Sequence, residues 1–182
     1  MKFCPACAQP VELKVPEGDH LPRAVCTACG TIHYENPRII AGCVIEVDTR
    51  ILMCKRAIEP RHGFWTLPAG YLELGETPEQ GAKREAREEA CAEIALDGLL
   101  AVYSITHISQ VQLFYRARMV REECAPGIES LEVRLFAWSE IPWGELAFPT
   151  VHWALRHFEA SRGRTLGQPF GNAEDGPPDP MR

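Results

Sequence analysis

The sequence predicts an α/β domain in which a mixed β-sheet lies between helices, preceded by a small module built on four cysteines. Three observations carry this. Two Cys-x-x-Cys pairs, Cys4/Cys7 and Cys26/Cys29, stand near the start with 18 residues between them. Strand-like apolar runs flank a short helix with a start signal at Thr77-Pro78. A second, amphipathic helix occupies 151–162. Strands on both sides of one helix, with another helix at the end, suit a sheet covered on both faces.

The cysteine module comes first, over 1–36. The doubled spacing matches tetrahedral thiolate sites for zinc, each pair forming a tight knuckle whose sulfurs bind one ion. Iron–sulfur or redox use of the same cysteines is the alternative. Four thiolates leave no open position, so a zinc ion here is expected to be structural. The spacer, rich in Pro, Glu, Gly and Asp, suggests a hairpin excursion. So short a segment buries too little surface to fold unaided, and the metal supplies much of its folding energy.

The larger domain is expected over 37–162. RIIAGCVIEV reads as a central strand, Asp48-Thr49-Arg50 as a turn and ILMCKR as the next strand. A loop with Pro60, Gly63 and Pro68 leads to the first helix, with Thr77 as N-cap and Pro78 in its first turn. IALDGLLAVYSI and QVQLFYRARMV are two long strands around THIS. The polar EECAPGIES precedes the strand LEVRLFAW, and SEIPWGEL turns toward the last helix. That helix is expected to turn Val151, Leu155 and Phe158 inward. From Gly163 to Arg182 the Gly- and Pro-rich polar composition predicts a disordered tail.

Composition narrows the class. A hydrophobic content of 46% supports a real core, and no run approaches the ~18 apolar residues of a membrane span. The opening MKFCPAC has no apolar stretch of the signal-peptide kind, so no secretory leader is expected. A net charge of −6 argues against a general nucleic-acid surface while permitting a local basic site for phosphates. Cys43, Cys54, Cys91 and Cys124 lie scattered, which fits buried thiols in a reducing compartment; the expected location is the cytoplasm.

The stretch GYLELGETPEQGAKREAREEACA, 70–92, carries the chemistry. On a helix, Glu85, Glu88 and Glu89 share a face, with alanines 82, 86 and 90 as a small apolar stripe beside them. Like charges roughly 5–6 Å apart repel by about 3 kcal/mol per pair at an effective dielectric near 20. Water mutes this on an open surface, and a solvated face with pairs such as Arg84–Glu88 is the ordinary use of such a helix. In a cleft the cluster needs a cation, and carboxylate oxygens select magnesium, calcium or manganese.

The spacing of Gly70, Glu76, Arg84, Glu85, Glu88 and Glu89 resembles the Nudix box. It departs from that pattern at Cys91, where glycine is usual, and at Ala86 and Ala92, where larger aliphatics are usual. The resemblance implies a Nudix-type α/β/α sandwich that hydrolyses a nucleoside diphosphate linked to another group. It implies that Glu85, Glu88 and Glu89, helped by the Gly70 carbonyl, hold magnesium or manganese. Glu76 and Arg84 would pair and brace the loop, with Arg84 on phosphate as the alternative. Glu129 would supply a further acid to the metal or to water, with Glu132 as its substitute. Arg56 and Arg61 are candidates for phosphate. Trp65, beside Phe64, is a candidate to stack on a base, with simple packing as the other reading.

A zinc ribbon ahead of a Nudix domain is similar to two groups. The NADH pyrophosphatases and RNA NAD-decapping enzymes carry an SQPWPFPxS motif after the box, where this chain has HISQVQLFYRARM. The second group includes chloroplast FAD and ADP-ribose pyrophosphatases. Its traits are FCxxC, RAxCxxCG, YxNP, HGxWTLPAGYLExGE and ESLExRLF, all present here between the first cysteine and about residue 160. This likeness implies a magnesium-dependent dinucleotide pyrophosphatase acting on FAD or ADP-ribose, giving AMP plus FMN or ribose 5-phosphate. NADH or NAD-cap hydrolysis is the alternative, as is a silent dinucleotide sensor or adaptor, although such a domain is expected to lose its metal glutamates. A small-molecule dinucleotide is the expected partner, with a homodimer allowed and neither membrane nor nucleic acid expected.

Overall fold

The computed structural model describes residues 1–173. It divides into two compact units, Met1–Pro37 and the chain from Arg38 onward. In the first, β1 (Val11–Lys14), β2 (Arg23–Cys26) and β3 (Ile32–His33) form an antiparallel sheet in that order. Asp19 shapes the β1–β2 excursion by accepting from the His20 and Leu21 amides and from Arg23 Nε at 2.8 Å. Cys4, Val25 and Cys26 are its buried apolar residues.

The second unit is built on β4 (Arg38–Val47), β5 (Arg50–Arg56), β6 (Trp65–Thr66), β7 (Ala69–Tyr71), β8 (Ile94–Ile105), β9 (Gln110–Met119) and β10 (Ser130–Ala137). The main sheet runs β10-β5-β4-β9-β8, with β6 on β5 and β7 on β4. Only the β4–β9 pair is parallel, so the sheet is mixed. Helix α1 (Pro78–Ala90) covers one face and α2 (Pro149–Ser161) the other. This is the sandwich expected from the sequence, and among the described residues no helix is long and apolar enough to cross a membrane.

Each face is packed by the alternation of the strands. Ala41, Cys43 and Ile45 of β4 meet Ala82, Ala86 and Ala90 of α1. All three alanines are fully buried, and with only a methyl group each they let the helix approach the sheet closely. Val44 faces the other way, into a cluster with Met53, Tyr103, Phe114 and Phe136. There α2 inserts Val151, Ala154, Leu155 and Phe158. Its first turn starts at Pro149, whose fixed φ suits that position and extends the helix two residues ahead of the sequence-based start.

Two expectations fail. Beyond α2 the described part of the supposedly disordered tail packs on the free edge of the sheet. The Val102 amide donates to the Phe170 carbonyl and the Phe170 amide to the Leu100 carbonyl, both at 2.9 Å. The Phe170 ring stacks on His157 at 4.4 Å, and the Asn172 side chain bonds both the amide and the carbonyl of Ser104. A single aromatic anchor and an unpaired edge thus override the polar composition. Residues 174–182 of that expected tail lie outside the described residues. The scattered cysteines also divide: Cys43 and Cys54 are buried, whereas Cys91 and Cys124 are exposed.

Candidate active site

Helix α1 is fixed at its start by a reciprocal cap. Thr77 Oγ1 accepts from the Gln80 amide at 3.3 Å, and Gln80 Oε1 accepts from the Thr77 amide at 2.7 Å. At its end Cys91 adopts a left-handed conformation, φ 49°, and the Cys91 and Ala92 amides close on the carbonyls of Arg87 and Ala86. Cysteine therefore occupies the cap where glycine would be strain-free.

Between these ends the glutamates separate. Glu85 and Glu89, one turn apart, are buried at 8% and 5% exposure. Glu88 is exposed and reaches back to Arg84 Nη1 at 2.8 Å. Glu85 faces β7 so closely that a Cβ on Gly70 would collide with its carboxylate. Glu89 Oε2 accepts from the Ala69 amide at 3.4 Å. A small residue at 70 is therefore what lets the helix acids lie against the β7 backbone.

Arg84 organises the rim. Its Nε and Nη2 bond the two oxygens of Glu76 at 3.1 and 2.8 Å, Nη1 bonds Glu85 at 2.6 Å, and Nη2 also donates to the Tyr71 carbonyl. Glu76 in turn accepts from the Glu73 amide. The loop between β7 and α1 is thereby tied to the helix through one guanidinium, and Arg84 is committed to carboxylates and backbone.

The electrostatics mark Glu89. Burial, reinforced by the neighbouring charge of Glu85, pushes its carboxyl up to about 8. Burial also raises Glu85, against the lowering effect of Arg84. Two acids held out of water one turn apart, only one of them with a direct arginine partner, form a donor set that fits a hard divalent cation. Among the described residues, the group of three or more ligands already gathered closely enough for a metal ion is that of the four cysteines. Arg84 Nη1 holds Glu88 together with Glu85, at 2.8 and 2.6 Å.

Glu129 and Arg56 come to the same place from other elements. Glu129 is exposed on the loop before β10, yet its charge raises both Glu85 and Glu89. Its carbonyl accepts from the Ala57 amide at 2.8 Å, and Gly127, two residues earlier, lies against the Glu88 carbonyl with no room for a side chain. The charge of Arg56 lowers Glu89, while its Nε donates to the Pro60 carbonyl at 2.9 Å. Glu132 shares the face of β10 that carries Phe136, whereas Val133 and Leu135 face α1, so Glu132 points away from the glutamates.

Two further sequence candidates make ring contacts. Trp65 is 5% exposed and packs edge-on against Phe136 with ring centres 4.8 Å apart, so it is a core residue with no face open to a base. Arg61 lies over the Phe64 ring at 5.3 Å. Sequence reasoning missed Tyr71, directly after Gly70. Its ring is half exposed, its hydroxyl accepts from Gln110 Nε2 at 3.2 Å, and the Arg38 guanidinium lies 5.4 Å from the ring centre. Its place beside the box glycine was the available signal.

A cavity of about 610 Å³ lies at the opposite end of β4, between Glu46, Arg116 and the segment after α2. Its charges answer one another: Arg116 bonds Asp97 and the carbonyls of Ser161 and Arg164, and Arg162 meets Glu46. We place the chemistry at the buried glutamates instead, where Glu89 lies buried beside Glu85 with no arginine bonded to it directly.

In the first unit the four cysteine sulfurs gather within 4.8 Å. The Thr31 hydroxyl, 3.1 Å away, and the Thr31 backbone hold the Cys29 thiol down to about 6, which favours the thiolate that binds zinc. The set has the composition and compactness of a closed structural zinc site.

Comparison with known proteins agrees with both units. Residues 2–35 match the family described as Nudix N-terminal, a zinc ribbon, and residues 36–160 match the NUDIX domain. The crystal structure of a NUDIX hydrolase from Nitrosomonas europaea superposes with a TM-score of 0.89 at 49% identity, over 94% of this chain and 99% of that one. An ADP-ribose pyrophosphatase of Methanocaldococcus jannaschii is 31% identical over 63% of this chain and 69% of its own length. An NAD-capped RNA hydrolase of Stutzerimonas stutzeri is 31% identical over 92% of this chain and 58% of its own. Across the curated relatives compared, this chain spans from 31% to 69% of their length.

Proposed function

This chain belongs to the Nudix family, and on that premise we propose that it hydrolyses the diphosphate linkage of a dinucleotide, with ADP-ribose and FAD as leading substrates. The products are AMP plus ribose 5-phosphate or FMN. The observation that carries this is the buried pair Glu85 and Glu89 against the backbone of Ala69 and Gly70. Divalent cations held there, magnesium or manganese, would supply charge neutralisation for the diphosphate and activation of water.

The chain's own residues divide the remaining work. Glu85, Glu88 and Glu89, with the Gly70 carbonyl, would hold the cations. Glu129 completes the shell or accepts the proton of the attacking water. Arg56 meets phosphate, while Glu76 and Arg84 keep loop and helix in register. Tyr71, Gln110 and Arg38 offer an aromatic face and donors for the nucleoside half. Cys4, Cys7, Cys26 and Cys29 hold a structural zinc.

NADH or NAD-capped RNA is the second reading, favoured by the length of the match to the Stutzerimonas protein across both units. The lack of an SQPWPFPxS segment weighs against it. Retention of all three box glutamates weighs against a silent sensor. A panel of ADP-ribose, FAD, NADH and NAD-capped RNA with magnesium, scored for AMP release, separates these. Preferred turnover of ADP-ribose or FAD is expected; turnover of NADH or capped RNA alone would favour the second reading, and tight binding without hydrolysis the sensor.

A further inference from the structure

We propose that Cys91 and Cys124 are a reversible thiol–disulfide pair that clamps the loop before β10 onto the end of α1. The two residues stand 33 positions apart in the chain, yet the fold brings them together. The Ala125 amide donates to the Ala90 carbonyl at 2.9 Å. The peptide group linking Cys124 to Ala125 is therefore bonded directly to the one linking Ala90 to Cys91. The Gly127 amide adds a second tie, to the Glu89 carbonyl at 3.1 Å.

Both side chains are exposed, unlike Cys43 and Cys54, whose thiols burial makes inert. Burial raises the Cys124 thiol, and the nearby charges of Glu122 and then Cys91 add to this. Neither belongs to the zinc cluster or to the glutamate site, so neither is occupied with another task. Cys91 in addition sits at φ 49°, a conformation costly for a side chain and open to glycine.

The oxidant is a peroxide. Two S–H bonds break and one S–S bond forms while the O–O bond of hydrogen peroxide is reduced, releasing two waters. The link fastens the helix end just beyond Glu89 to the segment that leads into Glu129. It restricts the unfolded chain as well, so it stabilises the fold.

The zinc-loaded full chain is treated with hydrogen peroxide, the remaining thiols are alkylated, and the protein is digested and mapped by mass. We expect a Cys91–Cys124 linked peptide that dithiothreitol removes, and a melting temperature raised by about 5–10 °C before reduction. Cys124→Ser and Cys91→Gly, the latter preserving the left-handed cap, should each abolish both effects while remaining folded. Recovery of Cys91 and Cys124 as alkylated thiols, as separate sulfenic or sulfinic acids, or in links to other cysteines or other molecules would overturn the proposal.

Discussion

The Glu85 carboxylate fills the space where a side chain on Gly70 would begin. Helix α1 and strand β7 therefore meet acid to backbone, with nothing between them to hold the carboxylate off. Gly70→Ala should displace Glu85 while the alanine stripe continues to seat the helix. Displacing a reacting group by about 1 Å costs on the order of 10²-fold. Turnover of ADP-ribose is expected to fall by about that factor while circular dichroism stays native, and unchanged turnover would count against Glu85.

Glu89 sets a pH dependence whose sign can be worked out. Its folded carboxyl titrates at about 8 and its unfolded one near the ordinary 4.5. The folded state thus holds a proton that the unfolded state has released, and stability contributed below 4.5 is lost as pH rises toward 8. Metal-free protein should melt at progressively lower temperature across this window. Magnesium, which binds the ionised form, should raise the melting temperature more at pH 8 than at pH 6, and Glu89→Gln should flatten both trends. Thermal scans at several pH values, with and without magnesium, check this.

Arg84 holds Glu76, Glu85, Glu88 and the Tyr71 carbonyl at once. Removing it leaves two largely enclosed carboxylates, Glu76 and Glu85, without a cationic partner. Arg84→Ala should lower the melting temperature by about 5–10 °C. Arg84→Lys should recover less than half of this, because a point-like ammonium cannot bond Glu76 through two parallel N–H groups. Full recovery by lysine would show that charge alone matters at this position.

The segment after α2 protects a sheet edge. Ending the chain at Arg162 should expose the β8 backbone and the His157 ring, lowering the melting temperature and promoting self-association by edge pairing. Phe170→Ala alone should cost about 1–3 kcal/mol, the range for losing a partly buried aromatic. Denaturant unfolding and gel filtration report these effects, and a truncated chain that stays monomeric and equally stable would contradict them.

What was legible in the sequence was local. Thr77, Pro78 and Gln80 announce the start of α1 because a cap is made of neighbouring residues. The alanine stripe follows from helical periodicity. Trp65 could not be placed, because a strand of two residues carries no alternation from which a face can be read. The trio of glutamates divides because positions three and four apart differ by about 100° around a helix, so Glu88 falls to the rim with Arg84. The pairing of Phe170 with β8 and the bond from Ala125 to Ala90 depend on long-range contacts that composition cannot express. Gly70 was recognised through spacing, but its reason, the proximity of Glu85, is visible only in three dimensions.

The central claim is that Glu85 and Glu89 together hold divalent cations. A manganese titration followed by loss of the free-ion electron paramagnetic resonance signal tests it without reference to any substrate. Zinc-loaded wild type should bind manganese, and magnesium should compete it away. A folded Glu85→Gln/Glu89→Gln double variant should lose that binding, with affinity weakened at least about tenfold even if Glu88 and Glu129 retain some hold. Equal manganese affinity in the two proteins would contradict the account.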